Sequence, residues 1–234
     1  MAPDPTITRA EPLRPRGLRI LIHLDGGREP FEVTLEALER SGLGVGDSLP
    51  SDRRHSLLNA DADIRVRDAA LNLISYRART RAELGRRLRQ KGFSPARIEP
   101  CLDRLQERGL IDDAAVAAAF IRDRLRHRPR GRARLATELR AKGVNGDVVQ
   151  ETIDRVFEDE AASDSSLALE VAEGWASRQG LAVLEALASD ARSPVRDRAR
   201  RRLRGYLSRR GFRGEALRQA EARALELAGE AAGP

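Results

Sequence analysis

The strongest constraint in this chain is a punctuation that occurs three times: two leucines four residues apart, then a basic residue, a glycine and an apolar residue. It reads Leu84, Leu88, Lys91-Gly92-Phe93; then Leu135, Leu139, Lys142-Gly143-Val144; then Leu203, Leu207, Arg210-Gly211-Phe212. Leucines at i and i+4 share a helix face, and a glycine just past the last turn supplies a left-handed stop. The glycines lie 51 and 68 residues apart, which is too long for one helix pair and suits a small helical module. Modules of this size stack and share a core. The expected fold is all-α, with tandem three-helix (helix-turn-helix-like) repeats forming an elongated curved body.

Local signals set the expected layout. Residues 1–15 are proline-rich without an apolar period, which predicts a disordered arm. Residues 16–58 read as an accessory unit. In it Leu18, Ile20, Ile22 and Leu24 alternate with Arg19, Leu21 and His23, and Asp25-Gly26-Gly27 turns the chain into Glu29–Val33. That is the pattern of a β-hairpin, and Thr34 is placed to cap a short helix after it. Repeat 1 is expected over 67–111, with a capping box at Thr80–Glu83 and a Ser94-Pro95 helix start. Repeat 2 is expected over 112–160. Counted from each glycine, Ile98, Leu102 and Leu105 match Val149, Ile153 and Val156. A divergent three-helix repeat 3 is expected over 164–230, with about 17 extra residues before Ser193-Pro194. Its corresponding positions are Leu217, Glu221 and Ala224.

Little in the chain suggests catalysis. His23, His55 and His127 are scattered without ligand spacing, and Gly42–Asp47 lacks the Lys-Ser or Lys-Thr of a phosphate loop. The single cysteine, Cys101, follows a helical apolar period beside Leu102 and reads as a packed residue in a reducing compartment. Asp112-Asp113 reads as a helix cap rather than a metal pair. No catalytic residue, metal or cofactor is expected, and no apolar run approaches the ~18 residues of a membrane span. The expected location is cytoplasmic.

The charge pattern carries more. The net charge is +7, and Lys91 and Lys142 are the only lysines, so the positive charge is almost all arginine. Arginine occupies every second position from 122 to 134, broken by Pro129 and Gly131. A similar cluster surrounds the inter-helix turn of repeat 1, and repeat 3 has Arg196, Arg198, Arg200, Arg201, Arg202 and Arg204. The bland reading is a solvated charged face in an arginine-rich proteome. Recurrence at the same point of successive modules favours a binding rim. Candidate contacts to a polyanionic partner are Arg77, Arg79, Arg81, Arg86, Arg87, Lys91, Arg122, Arg126, Arg130, Arg132, Arg134, Arg140 and Lys142. Aromatics are only 3% of the chain and fall at core-like positions, so nucleic-acid contact would be to phosphate and blind to sequence.

The run Ala70-Leu71, Leu73, Tyr76, Arg79-Thr80, Glu83-Leu84, Leu88, Lys91-Gly92-Phe93, then Leu105 and Gly109-Leu110-Ile111-Asp112-Asp113, resembles the RecX family of bacterial recombinase regulators. Gly131, Leu135, Glu138-Leu139 and Lys142-Gly143-Val144 resemble its second repeat. The resemblance implies a non-enzymatic modulator that binds in the groove of the RecA–DNA filament. It further implies inhibition of RecA's ATPase, strand exchange and coprotease activity in recombination and the SOS response. Gly109, Leu110, Ile111, Asp112 and Asp113 would form the inter-repeat joint, and the basic turns would face the filament. The expected partners are the RecA filament and, weakly and without sequence preference, single- and double-stranded DNA. The protein is expected to act as a monomer without a membrane partner. A basic helix-turn-helix transcription regulator stays open as the alternative; it would need a preferred duplex site.

Overall fold

The computed structural model describes residues 4–15, 17–189 and 193–232. It is mostly helical, with eleven helices and one three-stranded antiparallel sheet among the described residues. The chain divides into two units. The first takes in Met1–Arg79 and Glu83–Ile111, the second Thr80–Ala82 and Asp112–Pro234.

In the first unit, β1 (Ile7–Pro12), β2 (Arg19–Leu24) and β3 (Phe31–Thr34) pair in sequence order. The alternation in β2 buries Ile20, Ile22 and Leu24 on one face. The hairpin is therefore present, but it has a third strand. Residues expected in a disordered arm form β1 instead, pairing Ala10 with Ile22 and Pro12 with Ile20. Proline suits this edge, where its missing N–H breaks no ladder bond; residues 1–3 lie outside the described residues. Thr34 caps α1 (Leu35–Ser41), its hydroxyl accepting from the Ala37 N–H at 3.3 Å.

The largest departure from the expected layout is α2 (Ser51–Tyr76). A boundary between 58 and 67 was expected, yet one helix runs through it. The two ends of α2 serve different cores. Leu57 and Ile64 pack with the sheet and α1, whereas Val66 and Ala70 pack with α3 (Arg81–Gln90) and α4 (Pro95–Glu107). Asp61, 4% exposed, fastens the sheet to the helix. Its carboxylate accepts from the Thr34 backbone at 2.6 Å and from Arg19 at 3.3 Å.

The second unit has a continuous core running through α5 (Asp113–His127), α6 (Arg132–Ala141), α7 (Gly146–Asp159), α8 (Asp164–Ala176), α9 (Leu181–Ala188), α10 (Pro194–Arg209) and α11 (Gly214–Ala232). Repeat 3 thus has four helices rather than three, because the extra stretch folds as α9 and buries Leu187. In α11 the core stripe is Ala216, Ala220, Ala224 and Ala228, one residue out of phase with the expected Leu217 and Glu221. Small side chains at i, i+4 spacing let α11 lie close against α8 and α9, its chief neighbours.

The threefold punctuation has one geometry throughout. All six leucines are at most 1% exposed, and Gly92, Gly143 and Gly211 have φ of +88°, +85° and +94°. The residue after each glycine donates its N–H back to the carbonyl of the second leucine: Phe93 to Leu88, Val144 to Leu139 and Phe212 to Leu207. This is the 6→1 bond of a Schellman stop, which satisfies a carbonyl the helix end would orphan.

Candidate functional site

The second helices of repeats 1 and 2 each receive, at the start, an aspartate from further along the chain. The Asp113 carboxylate accepts from the Arg81 N–H at 2.7 Å, and the Asp164 carboxylate accepts from the Arg132 N–H at 3.0 Å. A free N–H at a helix start, with the positive end of the helix dipole behind it, favours this anionic acceptor. The basic-glycine turns of repeats 2 and 3 dock at the same places. The Thr80 hydroxyl donates to the Lys142 carbonyl at 2.7 Å, and the Gly131 N–H donates to the Arg210 carbonyl at 2.9 Å.

The stretch Gly109–Asp113 has the features of a sharp connection. Gly109 is left-handed at φ +70°, the Leu110 N–H returns to the Leu105 carbonyl at 2.9 Å, and Ile111 is buried. Asp112 caps α5 by accepting from the Ala115 N–H at 2.8 Å. The two acidic residues thus end two different sets of orphan donors, and the unit division falls between Ile111 and Asp112.

The alternating arginines of repeat 2 are largely met by the protein's own carboxylates. Glu138, its side chain only 17% exposed, takes Arg130, Arg134 at 2.7 Å and Arg124 at 3.7 Å. Arg122 bridges Asp159 and Glu160 at 2.9 and 3.0 Å, and Arg126 lies 3.9 Å from Glu160. Arg132 pairs with Asp154 and lies over the Phe157 ring, 4.2 Å from its centroid. Gln150 and Arg132 both bond the Asp154 carboxyl and hold it below its ordinary range. Phe120 is half-buried rather than core, its ring covered by Arg124 at 4.4 Å and Lys142 at 5.3 Å.

In repeat 1, Arg77 pairs with Glu83 at 3.1 Å, Arg79 donates to the Leu73 carbonyl at 3.0 Å, and Arg87 donates to Gln90 at 3.0 Å. Arg86, Lys91 and Arg140 are exposed and have no acidic partner among the described residues.

Repeat 3 is different. Along α10, Arg198, Arg200, Arg201, Arg202 and Arg209 are exposed without carboxylate partners among the described residues; Arg204 pairs with Glu221 at 3.0 Å. The run 196–204 stood out in the sequence and Arg210 stood out only as part of the glycine stop, whereas Arg178 and Arg209 did not. Arg178 lies 28 residues from Tyr206, to whose hydroxyl it donates at 3.0 Å. Nothing in one-dimensional spacing announces that pairing.

Repeated helical modules, with the second helices of repeats 1 and 2 each tied at the start by an aspartate and by a basic-glycine turn, define a tandem helical-repeat protein with a strongly cationic surface. Two family models match it: the first three-helix domain of RecX over residues 67–105 and the second over residues 112–153. The chain belongs to the RecX family. The "Regulatory protein RecX" of Halorhodospira halophila is 37% identical over 161 residues, covering 69% of this chain and 89% of that protein. The protein of the same name from Mycobacterium avium is 34% identical, covering 63% of this chain and 78% of its own length. Among solved structures, a regulatory protein RecX superposes with a TM-score of 0.68 at 21% identity, over 93% of this chain and 99% of that one. RecX from Lactobacillus salivarius gives 0.56 at 21% identity, over 72% and 99%. These likenesses support the fold.

Proposed function

We propose that this protein is a modulator of the RecA recombinase that binds in the groove of the RecA–DNA filament. In this reading it inhibits RecA's ATP hydrolysis, strand exchange and coprotease activity, and so acts in recombination and the SOS response. Family membership across both three-helix domains is the observation that carries the reading. The physical features agree with it. A net charge of +7 and repeated cationic turns suit a polyanionic groove, and many weak contacts along repeated modules add through avidity. Any DNA contact in this reading is to phosphate and weak, and the protein works as a monomer in the cytoplasm.

The test is the steady-state ATPase of the host RecA on single-stranded DNA, titrated with this protein at fixed salt. The expected result is a fall in rate, at well below one molecule per RecA subunit for end capping or propagated disruption and near one per subunit for groove coating. An order-of-addition control separates action on the filament from competition for bare DNA. An unchanged rate at every ratio would overturn the reading and point to the duplex-binding regulator.

A further inference from the structure

Along α2 the first unit carries an open groove. Two clefts of 410 and 300 Å³ lie on one side of the helix and share Arg40 and Ala60. Leu57, Ala60, Ile64, Arg67 and Leu71 line them at steps of three and four, so the clefts follow one face of α2. The groove arises because α2 serves two cores. Leu57 and Ile64 pack with the sheet and α1, whereas Val66 and Ala70 pack with α3 and α4. Arg40 of α1 and Arg104 of α4 therefore stand on opposite walls, and the small side chain of Ala60 leaves the space between the clefts open. From Arg53 to Leu71 the helix rises roughly 27 Å, about five turns.

The groove combines an apolar floor with a cationic rim. Leu71 and Leu110 line it and are 38% and 47% exposed, next to Ile64, Cys101 and Leu105 at its base. Large aliphatic side chains gathered in a concavity and left open to water are the mark of an interaction surface. Five arginines line the clefts against two aspartates, Asp52 and Asp63. Arg97 takes Asp63 at 2.8 Å, and Glu36 holds Arg40 at 2.7 Å and Arg67 at 2.6 Å. Arg53, Arg104 and Arg108 are exposed without carboxylate partners among the described residues. Arg104 and Arg108 are one helical turn apart at the end of α4, a spacing that places both over the same wall.

We propose that this groove docks an acidic amphipathic helix of a partner protein. A helix laid beside α2 presents apolar anchors at i, i+3 or i+4 and i+7, the spacing of the floor it would cover. Its flanking carboxylates meet Arg104 and Arg108 on the α4 wall and Arg53 at the other end, and guanidinium forks pair well with carboxylates. A phosphodiester backbone is charged throughout and would leave Leu71 and Leu110 uncovered. A flat lipid surface does not follow a concave floor. Arg40, Arg53 and Ala60 also lie outside both stretches matched to the RecX family. The inference goes beyond the RecA reading, and its test contains neither RecA nor DNA, so either can fail while the other stands.

The experiment selects phage-displayed peptides of about 18 residues, the length of the groove as a helix, on the immobilised full chain. Enriched sequences should carry Leu, Ile or Phe at i, i+3 or i+4 and i+7, flanked by Asp and Glu. A selected peptide is then labelled and titrated by fluorescence anisotropy. Arg104→Glu/Arg108→Glu and Leu71→Asp should each weaken its binding about tenfold or more. Arg28→Glu/Arg155→Glu, the same change of charge at exposed arginines outside the groove, should bind as wild type. Circular dichroism checks folding; should Leu71→Asp fail it, the exposed arginine pair decides the matter alone. Absence of acidic amphipathic sequences from the selection would overturn the proposal, as would unchanged affinity in the folded groove variants. Equal binding of a scrambled peptide of the same composition would overturn it in favour of charge alone. A wild-type dimer in sedimentation equilibrium that Arg104→Glu/Arg108→Glu dissociates would overturn it in favour of a second copy of this chain.

Discussion

The Asp164 carboxylate accepts a hydrogen bond from the backbone N–H of Arg132 at 3.0 Å, and Asp113 does the same for Arg81 at 2.7 Å. Donor and acceptor are 32 residues apart in both pairs. The first helix of one module thus ends an orphan donor of the second helix of the module before it. Asp164→Ala removes a charged acceptor and should lower the unfolding free energy by about 1–2 kcal/mol. Urea unfolding followed by circular dichroism measures it; a midpoint equal to wild type would mean that water serves Arg132 equally well.

Gly211 and Gly92 share a left-handed backbone but differ in surroundings. A Cβ on Gly211 would lie 2.5 Å from the Arg134 Cβ and 2.6 Å from its backbone nitrogen, whereas one on Gly92 meets nothing within 4 Å. Gly92→Ala should therefore cost about 1 kcal/mol from backbone strain alone. Gly211→Ala should cost upwards of ~3 kcal/mol, because α6 must also shift. Equal thermal midpoints for the two variants would show that the turn gives way without displacing α6.

Glu138 collects Arg124, Arg130 and Arg134. Glu138→Gln should destabilise by about 2–3 kcal/mol through uncompensated charge. It should also strengthen binding to a polyanion and steepen its salt dependence, since arginines once held internally become available. Heparin-column elution at rising salt tests this directly: elution at the wild-type position would show that these arginines stay occupied.

Acid should weaken the first unit through Glu36. Arg67 donates to both of its oxygens at 2.7 and 2.6 Å and, with Arg40 nearby, holds its carboxyl below the ordinary 4.5. A lowered carboxyl contributes stability that is complete above pH 4.5 and is lost as pH falls through the lowered value. Stability measured from pH 7 to pH 3 should be more acid-sensitive in wild type than in Glu36→Gln; parallel curves would refute the linkage.

Cys101 is 2% exposed, and burial pushes its thiol up despite Arg104 and Arg67 nearby. Alkylation at pH 7.5 should be at least ~100-fold slower than in denaturant, because thiolate is scarce and access needs local opening. Rapid labelling of the folded protein would contradict this burial.

Much of the scaffold is legible in local pattern. The six leucines, the three left-handed glycines and the apolar sets Ile98–Leu102–Leu105 and Val149–Ile153–Val156 are all buried or turned as periodicity predicts, because each depends on residues within a few turns of helix. The strand β1 was less legible, since its short proline-flanked segment takes its form from pairing with β2. In α2 the two ends carry different apolar stripes, and no helix-stop residue marks the change. The alanine stripe of α11 escaped for a similar reason: alanine is a weak hydrophobic signal until a neighbouring helix closes over it.

The sequence by itself determined a chain of tandem helical modules with arginine at their turns, because helix faces and stops are written in spacing over a few residues. Tertiary structure alone decided which arginines are available. Arg122 reaches Glu160 across 38 residues and Arg130 finds Glu138, whereas Arg178 and Arg210 meet at Tyr206 with no carboxylate bonded to either among the described residues. A charge is legible in one dimension, but its neutralisation depends on distance in three, and Coulomb attraction at a few ångströms takes no account of separation along the chain.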